Sequence, residues 1–238
     1  MNKLFIILCA GLLSLTTQAD ILFNVDFENP PHVLGQAPTT GTATDRPFDT
    51  QLMVVDSGIA GFSGQVGRFT SDGVNAYSVF ALPSAMSSGI HSIIWEASML
   101  TFDASDGLQV GMTIGEGGGT AIDLNTRFLN TGNIVVSDPF DGASQEIIGT
   151  WSLGQVFQFQ ALLNLNNDTY DYFLNGNQVI YGQSLQTDAS ISTAVFQRPF
   201  VTSEFAFDNF RWEIVPEPST ISLLLVGVMG GVFSRKRR

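Results

Sequence analysis

Cysteine is nearly absent from the sequence: the chain of 238 residues contains only Cys9. This residue lies in an apolar run over residues 4–15, which follows a single base and leads to small residues ending at Ala19. The layout is typical of a secretory signal peptide, so we predict a signal peptide over residues 1–19 with cleavage between Ala19 and Asp20. The exported chain then has no thiol and no disulfide, and its core alone must hold the fold together.

Positive charge is scarce in the exported part of the chain. Between Asp20 and Val215 there are five arginines, no lysine and 21 acidic residues, which give a formal net charge of −16. This balance argues against nucleic acid and anionic membrane surfaces as partners, because no basic patch is available to neutralise phosphates. The charge suits a soluble extracellular protein, and clustered carboxylates would also attract a divalent cation.

Spacings that mark common catalytic sites are missing. The two histidines, His32 and His91, do not form an H-E-x-x-H or H-x-x-x-H pattern, and no G-x-S-x-G elbow is present. A glycosidase needs two carboxylates that face one cleft, whereas Glu96 and Asp123 have no acidic partner at even spacing along their strands. We therefore predict a protein that is not an enzyme.

Long apolar runs are confined to the two ends of the chain. Residues 218–234 carry no charge and would span about 25 Å as a helix, the short end of what crosses a bilayer. A basic cluster follows this run and is expected on the cytoplasmic side by the positive-inside rule. It consists of Arg235, Lys236, Arg237 and Arg238. We predict a short transmembrane helix that anchors the chain in the inner membrane for a limited time.

The segment 215–238 combines three features in a fixed order. Val215, Pro216, Glu217 and Pro218 come first, then the short apolar helix, then the basic terminus. This combination resembles the PEP-CTERM sorting signal. The resemblance implies processing by an exosortase in a Gram-negative bacterium that makes an extracellular polysaccharide. The protein would pass through the inner membrane and then be released, or attached at the cell surface. An ordinary C-terminal anchor that stays in place is the alternative.

The middle of the chain, residues 20–214, reads as short runs of alternating apolar residues separated by Gly, Asp and Asn turns. The clearest stretch is residues 155–181, where an Asn-Asn-Asp turn and the tight turn Asn175-Gly176 separate three strands. Some ten to thirteen strands with few helices predict an all-β protein made of two packed antiparallel sheets, a β-sandwich.

Three motifs of this domain resemble laminin-G and concanavalin-A-like jelly rolls. They are the hairpin over residues 169–179, an Asp-Phe-Glu after the first strand, and a Phe-Asp-Asn-Phe in the last strand. In such folds the first and last strands often pair. If they do here, oxygens of Asp26, Glu28, Asp208 and Asn209 could converge on one Ca²⁺. The resemblance favours such an ion, and hydrogen bonding at the sheet edge is the alternative role for these residues.

Three tryptophans, Trp95, Trp151 and Trp212, could form a platform for sugars, but in a β-sandwich we expect them in the core. The preferred hypothesis is an exported, non-enzymatic surface or matrix protein, structural or weakly binding to extracellular polysaccharide. A secreted jelly-roll enzyme acting on glycans, either a lyase or a hydrolase, is the alternative. A third hypothesis is a structural protein that associates with itself.

Overall fold

A computed structural model describes most of the central part of the chain. The described residues are 19–28, 33–36, 49–51, 53–70, 76–103, 110–115, 122–137, 145–185, 190–198 and 202–216. Two compact units divide the chain: Ile21–Ile214, and a second unit made of Met1–Asp20 with Val215–Arg238. The predicted signal peptide, except Ala19, and the predicted C-terminal helix lie outside the described residues. In the described ranges, no helix has the length and hydropathy needed to cross a membrane.

The described residues form fifteen strands and no helix. The strands are β1 (Asp20–Val25), β2 (Asp49–Gln51), β3 (Met53–Ser57), β4 (Gln65–Phe69), β5 (Ala76–Met86), β6 (Ile90–Thr101), β7 (Val110–Gly115), β8 (Ile122–Phe128), β9 (Asn133–Ser137), β10 (Gln145–Thr150), β11 (Phe157–Asn164), β12 (Thr169–Leu174), β13 (Asn177–Ser184), β14 (Ile191–Arg198) and β15 (Glu204–Val215). The count exceeds the predicted ten to thirteen.

The strands build two sheets. Sheet I has eight strands in the order β13-β12-β11-β6-β15-β4-β3, with β1 paired to β15 beside that path. Sheet II has seven strands in the order β10-β9-β8-β7-β14-β5-β2. Neighbouring strands run antiparallel in both sheets. The prediction of an antiparallel β-sandwich is confirmed, and so is the pairing of the first strand with the last.

Alternation along the strands decides which side chains enter the core. In β11, Phe157, Phe159, Ala161 and Leu163 are buried, as the pattern predicts, and the residues between them are more exposed. The aromatic side chains of the two sheets meet in the middle, where the rings of Phe196 on β14 and Phe207 on β15 stack 3.8 Å apart at 6°. Burial of this aromatic layer stabilises the fold, because a chain with a single cysteine cannot form an internal disulfide.

The tryptophans belong to this core. Trp95 and Trp212 are almost completely buried, and Trp95 stacks on Phe159 at 5.2 Å. Trp151 is half-buried, packs against the core cluster, and donates its Nε1–H to the carbonyl oxygen of Leu129. The expectation that the tryptophans lie in the core is therefore confirmed for Trp95 and Trp212, and Trp151 packs at its margin.

The predicted turns of the β11–β12–β13 meander have the required backbone. Asn175 and Gly176 both have positive φ, 51° and 76°, which a two-residue turn between antiparallel strands needs. The side-chain Oδ1 of Asn175 accepts a hydrogen bond from the backbone N–H of Gln158 at 2.9 Å. The turn is therefore tied to the start of β11 as well as to its own hairpin.

Candidate functional site

Four carboxylates and one amide come together in sheet I, near the end of β1 and the start of β4. We call this group the acidic junction, and it consists of Asp26, Glu28, Glu96, Asp208 and Asn209. Asp26 and Glu28 directly follow β1, Glu96 belongs to β6, and the last two residues lie within β15. The pairing of β1 with β15 brings together acids that are about 180 residues apart in sequence.

An irregularity in β15 creates the junction. The side chains facing the core change register along this strand: Phe205 and Phe207 are buried before it, Phe210 and Trp212 after it. Asn209 absorbs the change with a left-handed φ of 51°, a conformation that Asn tolerates better than most residues. This irregularity changes the direction of the side chains on either side of it, and Asp208 and Asn209 lie at that point.

Asp208 is the buried member of the junction. It is 4% exposed, and its Oδ1 has no hydrogen-bond partner among the described residues. Burial raises the pKa of Asp208 to about 7, and the negative charges of Glu96, Glu28 and Asp26 raise the pKa too, while the backbone N–H of Asn209 lowers it. In the part of the chain that the structure describes, the charged side chains that act on this carboxyl are all acidic, so none of them compensates its negative charge.

The other three carboxylates each hold one hydrogen bond. Asp26 Oδ1 accepts from the N–H of Glu28 at 3.1 Å, Glu28 Oε1 accepts from the N–H of Gln65 at 2.6 Å, and Glu96 Oε2 accepts from Nδ2 of Asn209 at 2.9 Å. In each case the contacts described leave the second oxygen unused. As they stand, no three Asp, Glu, His or Cys side chains among the described residues form a ready metal centre.

The sequence predicts Asp26, Glu28, Asp208 and Asn209 as a possible Ca²⁺ site. The structure brings the three acids close enough for each of the first two to raise the pKa of the third. Glu96, which looks like an isolated acid in the sequence, is also a neighbour. Its position opposite Asn209 depends on strand order, and spacing along one strand carries no signal for it.

The outer face of sheet II carries a second polar group. Cross-strand partners place Tyr77 on β5 opposite Gln197 on β14, Gln197 opposite Gly111 on β7, and Gly111 opposite Arg127 on β8. We call these four residues the polar row. They face outward, because the residues next to them on each strand, such as Phe196 and Met112, point into the core.

Hydrogen bonds fix the long side chains of the polar row. Nη2 of Arg127 donates to Oγ of Ser137 at 2.7 Å, and Nε2 of Gln197 donates to Oγ1 of Thr113 at 3.0 Å. Burial lowers the pKa of Arg127. Gly111 is required at the centre of the row, because a Cβ there would collide with the carbonyl oxygen of Thr126. The face therefore offers donors and acceptors that are already oriented.

The remaining candidate residues lie at the two ends of the domain or outside the described residues. Ala19 is half-buried, and Asp20 is exposed and begins β1. Val215 ends β15, and Pro216 follows it half-buried. Residues 217–238, with the rest of the motif and the basic tail, lie outside the described residues, as does His32. The backbone of Asp123 lies in β8, but its side chain is not described.

The fold is that of β-sandwich proteins with jelly-roll-like sheets. The globular domain of T. cruzi calreticulin is similar at 10% identity and a TM-score of 0.54, over 90% of this chain and 95% of that one. A mutant of Trypanosoma rangeli sialidase displaying trans-sialidase activity is similar at 10% identity and a TM-score of 0.55, over 82% of this chain and 31% of that one. An alginate lyase in complex with dimannuronate has 12% identity and a TM-score of 0.46, over 64% and 75%.

The similarities to solved structures, at these identities, show the fold alone. The present chain spans only 17% of one sialidase chain and 28% of another. No curated protein matches the chain. Residues 215–238 match the PEP-CTERM protein-sorting motif, so the chain carries the sorting signal that its sequence resembles. The motif implies an exported protein that an exosortase processes.

Proposed function

We propose that this protein is a non-enzymatic component of the extracellular matrix, which binds neutral polysaccharide across the outer face of sheet II. The sorting motif supports delivery to the cell exterior, where processing in the 215–218 region would separate the domain from its anchor. The polar row carries the proposal, because it spans four neighbouring strands and presents hydrogen-bonding side chains on three of them, β5, β14 and β8. From Tyr77 to Arg127 it covers three strand spacings, about 14 Å, enough for several sugar rings.

Charge favours a neutral ligand. The exported part of the chain has a formal net charge of −16, which repels a polyanion over a distance set by the Debye length. The amide of Gln197, the phenol of Tyr77 and the guanidinium of Arg127 together supply donors and acceptors for sugar hydroxyls. Their partial burial and existing hydrogen bonds reduce the entropy that binding would otherwise cost.

Electrophoresis in native gels that contain dextran, xylan or polygalacturonate tests the proposal. We expect the two neutral polymers to retard the protein and the polyuronate to leave it unaffected. Gln197→Ala and Arg127→Met should each weaken the retardation several-fold without changing the melting temperature by more than a few degrees. Gln160→Ala is the matched control, because Gln160 lies in sheet I and donates to Ser92 there. Equal retardation of all variants would contradict the proposal.

A polyuronate lyase is the second candidate function, because the polar row holds both a tyrosine and an arginine. Arginine binds a sugar carboxylate through two parallel hydrogen bonds, and a tyrosine can exchange a proton with the adjacent carbon and the glycosidic oxygen. The elimination would break the C–O bond and leave a carbon–carbon double bond. Its product absorbs in the ultraviolet. An absorbance increase with polygalacturonate that Tyr77→Phe abolishes would replace the binding proposal with this one.

A further inference from the structure

We propose that the outer face of sheet I holds a second binding site for neutral polysaccharide, on the side of the domain opposite the polar row. We call this site the back patch, and it consists of Asp171, Phe173, Gln178 and Tyr181 on strands β12 and β13. The site itself does not depend on the polar row, but the joining of two polysaccharide chains by one molecule rests on the function proposed above.

Strand register places the side chains of the back patch on the outer face. Phe173 is paired with Gln178 across β12 and β13, and the neighbouring pair, Tyr172 and Ile180, points into the core. Successive side chains of a strand alternate between the two faces of a sheet, so Asp171 and Phe173 point outward. Burial agrees with this direction, since Tyr172 is fully buried and the residues on either side of it are only half-buried.

A β-bulge in β13 exposes Tyr181. The register shifts between Tyr170 and Tyr172 of β12, so that Tyr181 and Gly182 together face the single residue Asp171. Gly182 has a left-handed φ of 53° and donates its N–H to Oδ1 of Asp171 at 2.7 Å. Bulges re-aim side chains, and here Tyr181 is 71% exposed, more than any other large apolar side chain in the described ranges.

The shape of β13 argues against a second copy of the protein as the partner of this face. β13 is the edge strand of sheet I, and the bulge at Gly182 is followed toward the turn by another register shift opposite Phe173. Bulges protect an edge from pairing with other strands. The four side chains also cover an area on the order of 100 Å², whereas each partner in a stable protein interface buries about 800 Å².

The chemistry of the back patch suits a neutral sugar. The rings of Phe173 and Tyr181 offer apolar faces on which the C–H groups of a sugar can pack. The amide of Gln178 and the carboxylate of Asp171, which the N–H of Gly182 holds in place, offer donors and acceptors for hydroxyls. Asp171 contributes to the formal net charge of −16 of the exported chain, and this charge disfavours a polyanion.

Gln160 on β11 is not part of the back patch, although it is paired with Phe173. Its Nε2 donates to Oγ of Ser92 on β6 at 3.1 Å, so the amide is turned away from β12 and β13. Gln160→Ala therefore serves as a control for both sites.

The two sites lie on opposite sides of the sandwich. The back patch belongs to sheet I and the polar row to sheet II, and packed sheets lie about 10 Å apart with their outer faces pointing away from each other. A sugar segment bound on one face therefore leaves the other face open. With both sites occupied, one molecule joins two polysaccharide chains, and many weak contacts of this kind along a chain hold it firmly.

Native gels that contain xylan or dextran separate the contributions of the two sites. Tyr181→Ala should weaken the retardation several-fold, and the double variant Tyr181→Ala, Gln197→Ala should lose nearly all of it. Tyr181→Phe keeps the ring and should bind almost as well as the wild type. Leu153→Ala is the matched control, because it removes another exposed apolar side chain, in the turn before β11, and it should bind like the wild type.

Light scattering of xylan solutions measures the joining of chains. The wild type should raise the scattering, and Tyr181→Ala and Gln197→Ala should each fail to do so while still binding. Unchanged retardation and scattering with Tyr181→Ala would overturn the back patch and leave the polar row standing. Full retardation of Gln197→Ala would instead overturn the polar row and leave the back patch standing.

Two further outcomes would overturn the back patch. One is a wild type that neither polymer retards, which would contradict the polar row as well. The other is a dimer of the protein alone, seen by size-exclusion chromatography, that Tyr181→Ala dissociates, because a second copy would then occupy this face. We expect a monomer for both proteins, with melting temperatures that agree within a few degrees, since Tyr181 is an exposed side chain.

Discussion

The indole Nε1–H of Trp212 donates a hydrogen bond to Nδ1 of His91 across 3.3 Å, in a part of the core where both side chains are fully buried. An indole can only donate, so Nδ1 carries no proton. The proton of the neutral ring is then on Nε2, which donates to the carbonyl oxygen of Ser88 at 3.1 Å. His91 is therefore a buried neutral imidazole with both ring nitrogens hydrogen-bonded inside the fold.

We expect His91 to make the fold sensitive to acid. Burial lowers the pKa of His91 below its ordinary value of 6.5. Below about pH 6.5 the unfolded chain therefore binds a proton at His91 that the folded chain does not bind. The free energy of unfolding falls as the pH drops through this range, by at most about 1.4 kcal/mol per pH unit. His91→Gln keeps one acceptor and one donor, so its stability relative to the wild type should increase on acidification.

Denaturant unfolding of both proteins at pH 7.5, 6.5 and 5.5 measures this difference. Other titrating groups, Asp208 among them, are common to both proteins and cancel in the comparison. A constant difference between the two unfolding free energies over this range would show that His91 is not held neutral by the fold.

The hydroxyls of Tyr172 and Thr126 form a hydrogen bond of 2.6 Å that links sheet I to sheet II. Both residues are buried, and burial raises the pKa of Tyr172 well above its ordinary value. Tyr172→Phe leaves the hydroxyl of Thr126 without this partner, and Thr126→Val does the reverse. Each single change should cost about 1 to 3 kcal/mol of unfolding free energy.

The double variant Tyr172→Phe, Thr126→Val should lose much less than the sum of the two single losses, because no unpaired hydroxyl remains. Urea unfolding of the four proteins gives the coupling energy, which we expect near 1 kcal/mol. Additive losses would mean that the two hydroxyls stabilise the fold separately.

The stacked rings of Phe196 and Phe207 lie at the centre of the aromatic core. Phe207→Ala removes a fully buried ring that also contacts Phe27, Phe69 and Phe80. We expect a loss of about 3 to 5 kcal/mol of unfolding free energy, because the transfer and cavity contributions add. Ile147→Thr, at an exposed position on β10, should change stability by less than about 0.5 kcal/mol. Similar losses of unfolding free energy in both variants would show that the ring of Phe207 does not contribute more to stability than an exposed side chain.

Local patterns predict much of this fold. The β11–β12–β13 meander follows from alternation and from the Asn-Gly turn, since both signals act within a few residues. The strands β2, β3, β10 and β14 are not predicted. β2 has only three residues, and β10 contains a register shift near Gly149. Neither strand is therefore long and regular enough for apolar alternation to be recognised in the sequence. Apolar residues in β14 follow no simple alternation at its start, where its pairing with β5 also shifts register.

The two candidate sites differ in how much of each can be predicted from the sequence. Asp26 and Glu28 come just after the first strand and Asp208 lies in the last, and these two strands often pair in the folds that the sequence resembles, so their proximity is predictable. Burial of Asp208 and the approach of Glu96 depend on the irregularity at Asn209 and on the place of β6 beside β15. The polar row depends on register across four strands, and no local signal in the sequence predicts a register between distant strands.

The last strand sets a limit on where processing can cut the chain. β15 ends at Val215, the first residue of the sorting motif, and its second half contributes Phe210 and Trp212 to the core. A chain that ends after Pro216 should melt at the same temperature as one that retains the tail, because it keeps every buried residue of the strand. A chain that ends after Asn209 should not fold, since losing two buried aromatic residues costs about 6 to 10 kcal/mol, comparable to the whole stability of a domain.

Circular dichroism melts of the two shortened chains test this limit, and mass spectrometry of the exported protein places the natural end. The C-terminus of the processed protein should lie at or beyond Val215, because a cut further upstream removes residues that pair with β1 and fill the core. Replacing Pro216, Glu217 and Pro218 with alanines should leave an unprocessed chain in the membrane fraction, with its fold intact. A folded, processed protein that lacks Phe210 and Trp212 would show that this half of β15 is dispensable.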